Sequence, residues 1–255
     1  LLNINSKFNF VKTNQMQCKG WAAKVPFTAL KNTLPKNITA SSDDASSIFN
    51  YPQLFQTIDM INAIITDPYL LGKIAANHSL SDIIAVKSNP ITALMILQLP
   101  FSNVDINSRD LEQVLSGAKE VFDKHNCIIN GGHNMIGKDS DQVIRFTVTC
   151  EIKLKENKNK KSYKIKNNDT LVLTEKIGSG IIFSGINNDI IDSYFQKDVI
   201  TQMINGNFLF GSITEKLNIL SMTDITGFGL ANHLLNLIKR DKNKTGLTIL
   251  TVKIP

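Results

Sequence analysis

Carboxylates at scattered positions are the first candidates for chemistry in this sequence. Oxygen ligands are those that Mg²⁺ prefers, and a magnesium ion in a nucleotide site usually shares its coordination shell with substrate phosphates. Carboxylates that converge on one cleft would therefore suit a phosphorylated ligand. Asp67 has a simpler explanation, because Asp followed by Pro is a typical helix start. Six aspartates stand near predicted turns or element ends: Asp43, Asp44, Asp59, Asp67, Asp82 and Asp224.

Two glycine-containing segments could bring backbone N–H groups close to phosphate oxygens. Gly131-Gly132-His133-Asn134 follows a predicted short strand, and Thr226-Gly227-Phe228-Gly229 precedes a predicted helix. A backbone without Cβ can approach an anion closely and point its N–H groups at it. Neither segment is a Walker A loop, because no Gly-Lys-Ser/Thr follows at the required spacing. For either segment alone, an ordinary tight turn is the simpler interpretation.

The elements that must position these residues alternate between strands and helices. From Ile144 onward the even positions are apolar and the odd positions polar, which is the period of a half-buried strand. Between residues 108 and 124 apolar residues recur every three or four positions, which predicts an amphipathic helix. Further strands are predicted at 54–58, 91–99 and 127–130, and a further helix from Pro68 to about Leu80.

Composition and length narrow the class of protein. The chain has 255 residues with 42% hydrophobic residues, enough for two ordinary domains. Its net charge of +6 is concentrated in residues 153–166, so a basic nucleic-acid face is not indicated. The longest apolar runs are far shorter than the roughly 20 residues that span a bilayer, and no signal peptide is recognised. Three cysteines without C-x-x-C spacing favour a reducing, cytoplasmic compartment.

The predicted domain organisation follows the same shifts in composition. Residues 1–20 are polar and aperiodic and are predicted to be a flexible arm of an N-terminal domain that covers residues 1–155. Residues 156–168 are rich in Lys and Asn and predict a solvated linker, with a hairpin loop or an anion-binding patch as alternatives. Residues 169–255 are predicted to form a C-terminal domain that is incomplete in this chain.

Three segments become specific when they are taken together and in order. QTIDMINAIITDPYLLGKIAANHSLSD (56–82), NGGHN (130–134) and MTDITGFGLANHL (222–234) resemble the successive signatures of the selenophosphate synthetases. GWAAKVP (20–26) and DDAS (43–46) stand where that family places its catalytic loop and first metal-binding aspartates. The resemblance is colinear and covers nearly all of residues 18–255.

The resemblance implies an α+β, two-domain fold of the aminoimidazole ribonucleotide synthetase-like superfamily. Its N-terminal domain would pair with a second copy to form a dimer-wide β-barrel, and its C-terminal domain would be a layered α/β domain, truncated here. The implied reaction is ATP-dependent transfer of a phosphoryl group to selenide, which gives selenophosphate, AMP and phosphate. The implied partners are ATP, selenide, Mg²⁺ and a second subunit, with neither nucleic acid nor membrane.

The resemblance also assigns roles to individual positions. Magnesium would be held by Asp44, Asp82 and Asp224, with Asp82 also near the nucleotide. Lys24 would contact the phosphates. The remaining same-subunit lining of the ATP site would be Ser41, Ser42, Asp43 and Asp59. Gly132, His133 and Asn134 would reach the nucleotide of the partner subunit.

One departure from the family pattern concerns the catalytic loop. Trp21 stands where the family has a reactive Cys or selenocysteine, and an indole can supply neither a thiolate nor a selenolate. Two interpretations follow: an active synthetase with a route that needs no cysteine, or a homologue that binds ATP and magnesium and has lost selenide chemistry. His78, where the family usually has Asn, is more simply a packed or solvent-facing helix residue than a metal ligand or general base. Other members of the superfamily are the third alternative.

Overall fold

The computed structural model describes residues 44–137, 142–151, 165–166, 169–207 and 219–239. The predictions for Trp21, Lys24, Ser41, Ser42 and Asp43 lie outside the described residues, as do the predicted arm 1–20 and most of the predicted linker 156–168.

Five strands form one mixed sheet in the order β1-β2-β5-β3-β4. The parallel pair is β3 with β4, and the other neighbouring strands are antiparallel. Their bounds are β1 Ser46–Ile48, β2 Tyr51–Asn62, β3 Asn89–Leu99, β4 Ile128–Ile136 and β5 Val143–Glu151. The predicted alternation in β5 is confirmed, because Ile144, Phe146, Val148 and Cys150 are all buried.

Two long helices cover one face of this sheet, α1 (Pro68–Ala85) and α2 (Val104–Asp123). As predicted, Asp67 caps α1, and its carboxylate accepts a hydrogen bond of 2.9 Å from the backbone N of Leu70. The core lies between the helices and the sheet, where the rings of Phe122 and Phe146 meet edge to face with centroids 5.1 Å apart. Apolar burial of this kind is the main stabilising term of the domain.

The α1–α2 crossing depends on two glycines. A Cβ on Gly72 would lie 2.2 Å from the carbonyl oxygen of Val114, and a Cβ on Gly117 would lie 2.0 Å from that of Tyr69. Each helix backbone therefore occupies the space that a side chain of the other would need. The crossing is also tied by Glu120, which accepts hydrogen bonds from the Tyr69 hydroxyl and from Lys73 Nζ.

The structure corrects the prediction that a short strand at 127–130 ends in a turn at glycines 131 and 132. The strand continues through both glycines to Ile136, with a register shift that pairs Ala93 with Ile129 but Met95 with Gly132. One extra residue on β4 opposes β3 there, which is a β-bulge. Gly132 suits this position because a Cβ would lie 2.1 Å from the carbonyl oxygen of Met95.

The sheet face opposite the helices is apolar, and no element of the described residues covers it. β2 contributes Ile58 (60% exposed) and Met60, β3 contributes Leu94 and Ile96, and β4 contributes Met135. Alternate residues of a strand point to opposite faces, so this row is the outer counterpart of the buried row under α1 and α2.

The C-terminal elements pack partly against α1. They are α3 Ser179–Asn187, a 3₁₀ turn Ser193–Phe195, α4 Gln196–Asn205 and α5 Gly229–Lys239. The Asn77 amide of α1 donates hydrogen bonds to the carbonyl oxygens of Met203 (3.0 Å) and Ile204 (2.6 Å) at the end of α4. Residues 169–178, which precede α3, form no regular strand. Within the described ranges, no helix combines the length and apolarity that a membrane span requires.

Candidate metal and nucleotide site

The site begins where the C-terminal half of α1 faces β2. Thr57 and Asp59 belong to the row of β2 side chains that points toward the helices, and Asp82 lies on α1 opposite them. The Thr57 hydroxyl donates a hydrogen bond to Asp82 Oδ2. His78, one turn earlier on α1, is buried and places its Nε2 3.6 Å from Asp59 Oδ1. Of the two positions expected for His78, packed or solvent-facing, the structure shows the packed one, beside a carboxylate.

Residues from two distant parts of the chain complete the cluster. Asp44 directly precedes the strand region, and Asp224 belongs to an irregular segment before α5. The Ser81 hydroxyl donates to Asp224 Oδ2 at 2.7 Å, which ties this segment to α1. Ligand atoms of Asp44, Asp224 and His233 all lie within 4.8 Å of one another.

Without a nearby positive charge, the ionised form of these carboxylates is unfavourable, because they are close together and partly buried. The pKa of Asp82 is raised to about 10, first by burial and then by the charges of Asp224 and Asp59, with the Thr57 hydrogen bond opposing the shift. In addition, Asp59 Oδ2 is buried, and none of the described residues donates a hydrogen bond to it. A buried carboxylate is stabilised in its charged form by a nearby cation. The donor set therefore fits a divalent ion with a preference for oxygen ligands.

His233, on α5, connects to the cluster through Thr223. Its Nδ1 lies 3.3 Å from Thr223 Oγ1, and Thr223 Oγ1 donates to Asp44 Oδ1 at 3.1 Å. On the other side of the ring, the backbone N of Thr226 donates to Nε2 at 3.2 Å. The turn Thr226–Gly229, closed by a 2.9 Å bond from Gly229 N to Thr226 O, thus precedes a helix as predicted.

Gly132, His133 and Asn134 are not part of this cluster within one subunit. They lie on β4, an edge strand, three strand positions away from β2 in the sheet. With neighbouring strands about 4.8 Å apart, this separates them from Asp59 by about 14 Å across the sheet. All three residues are exposed.

The structure thus brings together Asp44, Asp59, Asp82 and Asp224. The sequence predictions missed four polar partners of these carboxylates: Thr57, Ser81, Thr223 and His233. All four lie inside the segments that carry the family resemblance. In the sequence, the only signal for these residues was their polar type and their position a few residues from the aspartates. The contacts themselves could not be predicted, because each joins residues that are distant in sequence or on different elements.

Neither cysteine among the described residues is suited to act as a nucleophile. Cys127 and Cys150 are both free and buried. Burial, followed by the neighbouring Cys150, raises the pKa of Cys127 to about 12, so its thiol stays protonated at neutral pH. A thiolate is the nucleophilic form of cysteine, and these two residues are therefore core residues.

Comparison with protein families and curated proteins gives consistent results. Residues 42–152 match the family model of the AIR synthase related protein, N-terminal domain. A selenide, water dikinase of Aliarcobacter butzleri (strain RM4018) is 31% identical over 243 residues, which are 91% of this chain and 68% of the relative. One from Clostridioides difficile (strain 630) is 28% identical over 241 residues, 89% of this chain and 67% of the relative.

The chain spans a smaller share of some other relatives, such as 56% of selenide, water dikinase 2 of Peptoclostridium acidaminophilum, at 29% identity over 78% of this chain. Among solved structures, a thiamine monophosphate kinase from Aquifex aeolicus aligns over 49% of this chain and 41% of its own, with a TM-score of 0.39 and 24% identity. The family match and the mixed sheet with its covering helices confirm the predicted α+β fold of the AIR synthase-like class.

Proposed function

Since the chain belongs to the selenide, water dikinase family, we propose that it carries the ATP- and magnesium-binding part of an enzyme that phosphorylates selenide. The γ-phosphoryl group of ATP passes to selenide and gives selenophosphate, and the remaining ADP is hydrolysed to AMP and phosphate. The working compartment that we propose is the cytoplasm.

The observation that carries this proposal is the convergence of Asp44, Asp82 and Asp224 from three distant parts of the chain. These carboxylates are the proposed magnesium ligands. A Mg²⁺ ion held by these residues would supply positive charge to offset the negative charge of the phosphates during phosphoryl transfer. Without cations, the phosphates of ATP would be repelled by the same carboxylates. The strongly raised pKa of Asp82 indicates that a bound cation would stabilise the ionised form of this carboxylate.

Other residues keep the roles that the resemblance suggests. Asp59 lines the nucleotide side of the cluster, and its buried Oδ2 is available to a hydrogen-bond donor. Lys24 supplies a positive charge to the phosphates, and position 21, occupied by Trp21, faces the incoming selenide. Completing the ATP site from the same subunit are Ser41, Ser42 and Asp43.

The proposed assembly is a homodimer that joins two copies through the uncovered sheet face. Exposed apolar side chains lie side by side on this face: Ile58, Met60, Leu94, Ile96 and Met135. Contiguous apolar patches of this kind mark protein–protein interaction sites. Pairing of two such faces explains how Gly132, His133 and Asn134, about 14 Å from the same-subunit cluster, could reach a nucleotide in the other subunit.

A second candidate function is favoured by Trp21. An ATP- and magnesium-binding homologue without selenide chemistry would keep the aspartate cluster and could lose the reactive group of the loop. The two candidates differ in whether selenide changes the fate of ATP.

Measurement of AMP formation by the full-length protein, with and without selenide, separates them. The proposed function predicts AMP formation that depends on selenide and on Mg²⁺. ATP binding without any effect of selenide on AMP formation would favour the second candidate. In the same protein, Asp82→Ala should weaken ATP binding in the presence of Mg²⁺ by at least about tenfold, or about 1.4 kcal/mol.

The role of position 21 is tested by Trp21→Cys beside Trp21→Phe. Trp21→Cys should raise selenide-dependent AMP formation and leave ATP affinity within about threefold, less than 1 kcal/mol. Trp21→Phe, which also shortens the side chain but adds no thiol, controls for relief of bulk. Equal rates for the wild type and Trp21→Cys would show that position 21 does not limit turnover.

The assembly is tested by sedimentation of the full-length protein. Leu94→Lys, on the uncovered face, should produce monomers and abolish AMP formation, because a lysine cannot be desolvated cheaply at an apolar interface. The matched control is Ile190→Lys, an exposed apolar residue outside the sheet. A wild-type monomer that binds ATP with undiminished affinity would contradict the dimer.

A further inference from the structure

We infer that His233 is a positioning residue for the metal site, acting through the hydroxyl of Thr223 on Asp44. The inference rests on the proposed role of Asp44 in binding a divalent cation. It concerns a hydrogen-bonded chain of three side chains, His233, Thr223 and Asp44. These residues come from α5, from the segment before it and from the residue that precedes β1 by two positions.

The direction of the hydrogen bonds among these three side chains follows from one group that can act only as a donor. The backbone N of Thr226 can only donate, and it lies 3.2 Å from His233 Nε2. In the neutral imidazole one ring nitrogen accepts and the other donates. Nε2 is therefore the acceptor, and Nδ1 carries the proton that is donated to Thr223 Oγ1, 3.3 Å away.

Thr223 then has one proton left to donate. With one lone pair taken by His233, its hydroxyl proton can go to Asp44 Oδ1 at 3.1 Å or to the carbonyl oxygen of Asp224 at 3.4 Å. The carboxylate is both nearer and charged, and hydrogen bonds to charged acceptors are the stronger ones. The chain thus holds Oδ1 of Asp44 through the hydroxyl of Thr223 and fixes the orientation of this carboxylate.

The burial of His233 supports this role over that of a ligand. Its side chain is 6% exposed, and both ring nitrogens face polar groups of the protein. Although the ring lies close enough to Asp44 and Asp224 to be considered as a ligand, binding a cation through either nitrogen would break one of these contacts. Partners of this kind orient metal ligands, and their removal commonly weakens metal binding by about 10- to 100-fold.

The test measures binding of Mn²⁺ to the full-length protein without ATP or selenide. Binding is monitored by electron paramagnetic resonance as the loss of the signal of the free ion. Mn²⁺ is a suitable probe because it accepts the same oxygen ligands as Mg²⁺. Thr223→Val and His233→Phe should each weaken Mn²⁺ binding about tenfold. Thr223→Ser, which keeps the hydroxyl, and His233→Asn, whose amide can replace Nδ1 as the donor, should recover most of the affinity.

The double variant distinguishes a relay from two separate effects. If His233 acts only through Thr223, Thr223→Val with His233→Phe should bind Mn²⁺ no more weakly than either single variant. Fully additive losses, or wild-type affinity in His233→Phe, would overturn the inference. His233→Phe keeps a ring beside Phe228, whose centroid lies 6.4 Å from that of His233, so loss of packing is small.

The outcome can be separated from that of the proposed function. A protein that binds Mn²⁺ as described but forms no AMP with selenide would refute the proposed function and leave the relay intact. Selenide-dependent AMP formation together with unchanged Mn²⁺ binding in His233→Phe would refute the relay alone. Absence of Mn²⁺ binding by the wild type would overturn both the metal site and the relay.

Discussion

Removal of one carboxylate from the cluster should stabilise the metal-free protein. In Asp224→Asn the neutral amide has nearly the shape of the carboxylate, and its oxygen can still accept the hydrogen bond from Ser81. What is lost is the negative charge near Asp44 and Asp82. Active sites often hold such mutually repelling groups at the expense of stability.

The size of the effect follows from the distance. Carboxylate oxygens of Asp44 and Asp224 lie within 4.8 Å, so two unit charges in an environment of effective dielectric constant of about 20 repel by about 3.5 kcal/mol. A hydrogen bond to a neutral acceptor in place of a charged one loses about 1 kcal/mol. The net gain is therefore about 2.5 kcal/mol, which corresponds to a rise of about 5 to 10 °C in Tm for a chain of this size.

Thermal unfolding of the full-length protein in EDTA and in Mg²⁺ measures this prediction. In EDTA, Asp224→Asn should be the more stable protein. Mg²⁺ at 100 times its Kd would stabilise the wild type by about 2.7 kcal/mol and the variant much less, so the stability difference between the two proteins should become much smaller. Glu112→Gln, at an exposed position on α2, is the matched control for loss of one charge. An Asp224→Asn variant that unfolds at or below the wild-type temperature in EDTA would refute the repulsion on which this reasoning depends.

Three further predictions concern the scaffold. Gly117→Ala should destabilise the protein by about 2 kcal/mol in urea denaturation, because its Cβ would overlap the Tyr69 carbonyl, whereas Ser116→Ala should change stability by less than about 0.5 kcal/mol. Asn77→Ala should raise hydrogen exchange in α4 at little cost to exchange in the sheet, since its amide holds two carbonyls at the end of α4; equal increases in both would contradict this. Burial and then Lys124 lower the pKa of His125 to about 4, so the folded state binds fewer protons than the unfolded state between about pH 4 and 6.5, and stability should fall as pH falls through that range. His125→Gln should lose less stability than the wild type from pH 7 to pH 5, and identical losses would show that His125 does not contribute.

The parts of the fold that periodicity predicted are those with one buried and one open face. In β5 alternate residues enter the core, and in α2 an apolar stripe faces the sheet, so each pattern is visible in sequence. α1 was predicted to end near residue 80 but runs to Ala85. Its last turns carry Ser81 and Asp82, polar residues that face the site, and such residues interrupt the apolar pattern where the helix contributes to chemistry.

Contacts with partners that are distant in sequence could not be predicted. The bulge at Gly131-Gly132 exists because the β3 backbone approaches closely, and a glycine pair alone is equally typical of a turn. The aspartates of the cluster were found because they lie in segments that resemble a family. The hydroxyls of Ser81 and Thr223 gain their roles only when α1, the segment before α5 and Asp44 come together.

The close approach of α1 and α2 at Gly72 and at Gly117 limits how this sequence can change over time. Relatives at about 30% identity have replaced most side chains, and a packed core tolerates many of those replacements when its volume is kept. At the helix crossing a larger side chain cannot be accommodated by repacking, because the backbone of each helix already fills the space where a side chain of the other would lie. A relative that keeps this crossing must keep both glycines. One that loses either glycine must slide α1 along α2, and with it Ser81, which lies nine residues and about 14 Å further along the helix.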